Sequence, residues 1–198
     1  MSEEKEVFFM DSNNSTSLKS NIRIFKNTKV LVIAGLLAAL SIVLGKFTAI
    51  NIGNSIRIGF GALPIQMAGI FFGPVIGAVV GGAADLIGCI LRGYAINPII
   101  TLGSISIGFV SGAMYNVILK KLTSQKVLKI ALSTLTAHII GSMIITSYGL
   151  FAYYHTPMQT LAWRVPIYLI TSAVETIIIS IMLSNIGFSA ELEKVTGK

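Results

Sequence analysis

The sequence predicts an all-α integral membrane protein: a bundle of six transmembrane helices, both termini on the cytoplasmic side, with a ligand pocket facing outward. Three observations carry the prediction. The chain of 198 residues is 54% hydrophobic and only 12% charged, about half the charged share of an ordinary soluble domain. Its apolar residues come in continuous blocks, not in the alternating ten-residue pattern of membrane β-strands. Its basic residues gather between those blocks, mainly on alternate sides. Backbone groups in lipid must find partners within their own segment, which leaves helices as the form of each block.

Taken in order, the polar stretch 1–27, rich in Ser and Asn, reads as a disordered cytoplasmic tail and lacks the cleavage site of a signal peptide. Residues 28–187 make the membrane domain. Its apolar segments run roughly over 29–45, 58–72, 75–91, 98–119, 127–153 and 165–186. Most approach the ~20 residues that a spanning helix needs. The second is short, and Gly73-Pro74 separates it from the third. Residues 188–198 read as a cytoplasmic C-terminal tail.

Orientation follows from Lys and Arg. Lys5, Lys19, Arg23, Lys26 and Lys29 precede or open the first segment; Lys120, Lys121, Lys126 and Lys129 follow the fourth; Lys194 and Lys198 end the chain. An even number of crossings puts all of these in the cytoplasm, as the positive-inside rule expects. Lys46, Arg57, Arg92 and Arg164 then fall on the outer side, against that rule. They need a reason other than topology.

The charges inside the apolar blocks supply one. Asp85 lies within the third segment and Arg92 at its outer end, seven residues or two helical turns on, so both share a helix face. Their backbones are about 10 Å apart, too far for a direct pair but suited to gripping two ends of a ligand. A charge inside a membrane segment is costly and reads first as functional. The sixth segment repeats the pattern, with Arg164 at its outer end, Glu175 deeper, and Trp163, Tyr168 and Thr171 between or beside them. Bland alternatives stand next to each: snorkelling of Arg92 to the headgroups, a neutral or capped Asp85, and a membrane-interface belt for Trp163 and Tyr168.

Two outer loops fit a pocket. Residues 44–60, LGKFTAINIGNSIRIGF, place Lys46, Asn51, Asn54 and Arg57 among Phe47 and several Ile, with Gly53 and Gly59 as hinges. This reads as a lid or as an ordinary connector. RGYAINP, residues 92–98, adds Tyr94 and Asn97, with Pro98 where a helix tolerates proline. His138 in the fifth segment reads as a helix-to-helix hydrogen-bonding group. In the first helix Ala34 and Ala38, with Gly35 and Ala39 beside them, form a small-residue face, either for packing within the bundle or for docking another membrane subunit. Residues 73–85 form a second such face, read as internal packing. Cys89, the only cysteine, permits no intrachain disulfide. The sequence carries no phosphate-binding loop, zinc-protease motif or serine nucleophile elbow, so no metal, cofactor or catalytic set is expected.

Six short helices, a basic N-terminus, the Ala34-x-x-x-Ala38 face and a long lid resemble the substrate-binding S components of energy-coupling factor (ECF) vitamin transporters. Within that family the run IRIGFGALPIQMAGIFFGPVIGAVVGGAADLIGCILRGYAINP, residues 56–98, resembles the folate-specific type. The resemblance implies a non-enzymatic subunit of the bacterial cytoplasmic membrane that binds folate near its outer face. It implies docking through the first helix onto a transmembrane scaffold that carries two ATPase subunits, which use the ATP. Folate suits the residues: a carboxylate, Asp85 or else Glu175, for the pterin's adjacent N–H and amino groups; Arg92, Arg57, Arg164 and Lys46 for the two tail carboxylates; Tyr94, Trp163, Tyr168 and Phe47 for the flat rings; Asn97 as a further polar contact. Competing readings are an S component for a different vitamin, an intramembrane enzyme using Asp85 and Glu175 as acid and base, and a structural subunit without ligand.

Overall fold

The computed structural model describes residues 27–47, 50–52, 56–122, 125–157 and 161–196; at 46, 47, 50–52, 56–58 and 121 it describes the backbone alone. Helix α1, Thr28–Ile42, runs on through a wider π-type turn, Val43–Phe47. Strands β1, Ile50–Ile52, and β2, Ile56–Ile58, follow as an antiparallel ribbon with Ile50 opposite Ile58 and Asn51 opposite Arg57. Next come α2, Ala62–Phe72, α3, Pro74–Arg92, and α4, Pro98–Asn116. Helix α5 spans Lys126–Tyr154 with π-type winding across His138–Thr146. Helices α6, Arg164–Ser184, and α7, Ile186–Thr196, complete the chain.

Each predicted segment holds a helix, with two departures. The stretch read as a lid contains the β-ribbon, so the described chain is not purely helical. The segment read as a C-terminal tail is folded: Phe188 of α7 packs edge-on to Phe71 of α2 at 5.4 Å, and Asn27 donates to the Val195 carbonyl at 2.7 Å. On its exposed side Lys194 donates to Glu191 at 2.6 Å, and that hydrogen bond first, then the charge of Lys194, holds the Glu191 carboxyl below its usual range.

Five helices, α1, α3, α4, α5 and α6, are long and apolar enough to cross a membrane. Helix α2 differs. Its 11 residues rise about 16 Å, roughly half of a ~30 Å hydrocarbon core. It is apolar apart from Gln66, and all of Leu63–Phe72 is buried, as expected of a helix with no polar face. Asn116 of α4 closes its lower end by donating to the Gly69 and Ile70 carbonyls at 3.2 and 3.1 Å.

The outer helices reach α2 because glycine lets them. The backbones of Gly77 on α3 and Gly108 on α4 touch, so that a Cβ on either would collide with the other's carbonyl oxygen. A Cβ on Gly112 would lie 2.7 Å from the Gly69 oxygen and from Pro74 Cα. The small-residue face at 73–85 is thus spent inside the bundle, by close backbone approach. Its lower end is a turn, Gly73 at φ 102°, and its upper end a left-handed cap, Gly93 at φ 65°.

Candidate functional site

Because α2 spans only half the depth, space remains above it. There the bundle encloses a cavity of about 710 Å³, within the size range of small-molecule sites. It lies at the end of the bundle that carries the β-ribbon, the 93–97 loop and the connection into α6. Its lining comes from six helices: Ser41 and Gly45 at the end of α1, Gly61, Ala62 and Ile65 below, Ala84, Asp85 and Cys89 from α3, Ile100, Ser104 and Ile107 from α4, Ser142, Thr146 and Leu150 from α5, and Arg164, Ile167 and Tyr168 from α6. Ser41 donates to the Gly61 carbonyl at 2.6 Å and fixes the turn into α2.

Asp85 is buried and lines this cavity, with Thr101 of α4 donating to its Oδ2 at 2.8 Å. Thr101 also donates to the Asn97 carbonyl at 3.1 Å, one turn back. Asn97 lines the cavity too, but its side-chain oxygen serves as the N-cap of α4, accepting from Ile99 and Ile100 at 3.0 and 3.4 Å. An Asn immediately before Pro98 is a signal for that cap. Tyr94 lines the cavity rim and is half-exposed. Arg92 is exposed at the end of α3, its guanidinium 5.9 Å from the Tyr94 ring centre, and is not among the lining residues.

A second polar system rises through α5 and α6. Glu175 is fully buried and meets His138 Nε2 at 2.6 Å. The other ring nitrogen of His138 lies 3.1 Å from Ser142 Oγ. The His138 ring stacks on Tyr168 with centres 5.1 Å apart and planes 28° apart. Arg164 Nη2 donates to the Tyr168 hydroxyl at 2.8 Å, and the guanidinium carbon sits 5.2 Å from that ring's centre. Below, Thr134 bonds Ser172 and Thr176 at 3.1 and 2.9 Å. Of this chain, Ser142, Arg164 and Tyr168 line the cavity; His138 and Glu175 lie behind them.

The predicted site residues therefore divide. Asp85, Tyr94, Asn97, Arg164 and Tyr168 come together around one cavity. Glu175 lies against His138 behind the wall. Trp163, in the turn before α6, is 63% exposed and outside the lining. The side chains of Lys46, Phe47 and Arg57 lie outside the described residues, as does Gly53. Ala34 and Ala38 are buried in the core; the small residues on the outward face of α1 are Gly35 and Ala39. Thr101, Ser104, Ser142 and Cys89 were not singled out as site residues from the sequence. Hydroxyls one helical turn from a capping Asn or from a buried His are the faint signals that could have found the first and third. Among the described residues no group of three His, Cys, Asp or Glu side chains is placed to hold a metal.

This geometry can be set beside known proteins. The family model "ECF transporter, substrate-specific component" matches residues 29–186. The folate transporter FolT of Clostridium novyi (strain NT) is 30% identical over 154 residues, 73% of this chain and 86% of the relative. A crystal structure of FolT bound with folic acid superposes with a TM-score of 0.61 at 24% identity, covering 76% of this chain and 91% of that one. The S-component for biotin from an ECF-type ABC transporter superposes with a TM-score of 0.64 at 22% identity, over 83% of this chain and 96% of that one. With the family matched across nearly the whole helical bundle and its cavity, the chain belongs to the substrate-specific components of ECF transporters: binding subunits for transport, not enzymes.

Proposed function

We propose that this chain captures folate outside the cell and delivers it as the S component of an ECF-type ABC importer. The observation that carries the reading is a single cavity of about 710 Å³ that holds both a buried carboxylate, Asp85, and a guanidinium, Arg164. Folate has the complementary ends. Its pterin offers an N–H and an amino group side by side, which a carboxylate accepts as a pair. Its tail ends in carboxylates, which a guanidinium holds better than an ammonium does. The flat rings between them suit Tyr94 and Tyr168. The similarity to a folate transporter over most of both chains supports the same ligand.

In this reading the chain crosses the bacterial cytoplasmic membrane six times, with α2 as a shortened crossing under the cavity. Both termini, residues 1–27 and 188–198, face the cytoplasm, and 28–187 form the membrane domain. Lys46, Phe47 and Arg57 in the 44–60 lid and Arg92 at the rim engage the ligand as the lid closes, which excludes water and slows release. Trp163, close in sequence to Arg164, reports occupancy more than it contributes to it. Docking on the transmembrane scaffold uses α1, where Gly35 and Ala39 lie outward, one residue from the Ala34 and Ala38 pair. Two ATPase subunits on that scaffold supply the ATP hydrolysis.

Calorimetric titration of the purified chain with folate tests this directly. The expected result is saturable binding near one folate per chain, unaffected by ATP. A correctly folded, helical protein that binds no folate but binds another vitamin would overturn the ligand and leave the family untouched.

A further inference from the structure

The His138–Glu175 pair is the most deeply buried ionisable cluster among the described residues, and neither side chain lines the cavity. Both are fully buried, 37 residues apart in sequence and on different helices. Such a pair is weak evidence for stability, since desolvation of both groups offsets their attraction. What it does securely is fix orientation. A carboxylate on one ring nitrogen and a hydroxyl on the other, Glu175 and Ser142, hold the imidazole in one plane. That plane is the surface on which Tyr168 lies. The Tyr168 hydroxyl in turn accepts from Arg164 Nη2. Arg164 Nη1 is buried and has no hydrogen-bond partner, although its residue lines the cavity. A buried guanidinium nitrogen without an acceptor is costly, so the guanidinium gains by turning toward an anionic group in the cavity that its residue lines.

We propose that His138 and Glu175 are positioning residues for the anionic end of the ligand: acting through the Tyr168 ring, they hold Arg164 at the cavity wall, where its guanidinium meets an incoming carboxylate. Preorganisation is the reason this matters. An Arg side chain free to sample many rotamers loses that freedom on binding, whereas one already held loses little. The inference rests on the folate reading above and deepens it, because it assigns the tail carboxylates to Arg164 and not to the lid.

The test compares folate with its tail diamide, which has the same rings and tail length but no carboxylate, on the full chain in detergent. Affinities are measured by calorimetry for wild type, Glu175→Gln, His138→Gln and Tyr168→Phe, with thermal unfolding recorded for each. Wild type is expected to bind folate more tightly than the diamide. Each variant is expected to narrow that ratio by about tenfold, the order of one hydrogen bond to a charged group, losing folate affinity far more than diamide affinity. Tyr168→Phe keeps the ring on the imidazole and removes only the acceptor for Arg164, so it gives the same tail-selective loss even if a change in the buried pair lowers stability. Equal losses for both ligands, or an unchanged ratio in all three variants, would overturn the positioning role while leaving folate as the ligand. Wild type that binds neither compound overturns the folate reading, and this inference with it.

Discussion

Asp85 shows how a single residue can be legible while its setting is not. A carboxylate inside an apolar block is expensive enough that the sequence alone marks it as a candidate ligand group, and the structure puts it on the cavity wall. Its partner Thr101 could not be read, because the pairing depends on how α3 and α4 are rotated against each other. Asp85→Asn keeps the size of the side chain but replaces one acceptor oxygen by a donor. Folate affinity is expected to fall by about tenfold to a hundredfold, measured by calorimetry, with little change in unfolding temperature. Thr101→Val leaves the carboxylate one partner short and is expected to cost about 1 kcal/mol of binding, a loss of roughly fivefold. If Asp85→Asn bound folate as wild type does, the pterin would have to be held elsewhere. Glu175 carries the opposite lesson. Its spacing from Arg164 put it on the expected pocket face, but His138 lies at 2.6 Å and the stacked Tyr168 stands between that pair and Arg164.

At the scale of elements, the close approach of α3 and α4 is the feature most exposed to test. Gly108→Ala puts a methyl group against the Gly77 carbonyl. Backbone, unlike a flexible side chain, cannot yield locally, so the helices must part. Destabilisation of about 1–3 kcal/mol is expected, the usual range for overpacking, read as a lower unfolding temperature. Gly35 is the contrast: nothing lies within 4 Å of a Cβ built there. Gly35→Leu should leave folding and folate binding unchanged while reducing co-purification with the scaffold subunit. Retained co-purification would move the docking face off this stripe. The first helix also marks a limit of sequence reading. Ala34-x-x-x-Ala38 and Gly35-x-x-x-Ala39 have the same spacing, and only the packing of α1 on α2 and α3 decides which pair turns outward.

At the scale of the molecule, the cavity follows from the fold. A half-length, fully buried α2 leaves room above it for a cavity, and the surrounding helices supply a carboxylate and a guanidinium to that space. In the proposed function, capture uses this cavity alone. Folate binding by the isolated chain is therefore expected to be the same with and without ATP. Uptake of labelled folate into vesicles, by contrast, should require the scaffold and ATPase subunits. Uptake by vesicles that hold this chain alone would make it a self-sufficient carrier and overturn the subunit reading.

What the sequence determined by itself is whatever a local rule controls. Apolar block length set the helices. The cost of charge in lipid marked Asp85, Arg92, Arg164 and Glu175 as candidates without telling them apart, and the Asn97-Pro98 step carried the start of α4. What the tertiary structure alone decided is whatever depends on helix rotation and depth. It placed Ala34 inward and Gly35 outward, stopped α2 halfway, folded the last eleven-residue helix back onto Phe71, and joined Glu175 to His138 across two helices. Side chains on separate helices meet or miss according to rotations of a fraction of a turn, and a one-dimensional pattern does not encode how one helix is turned against the next.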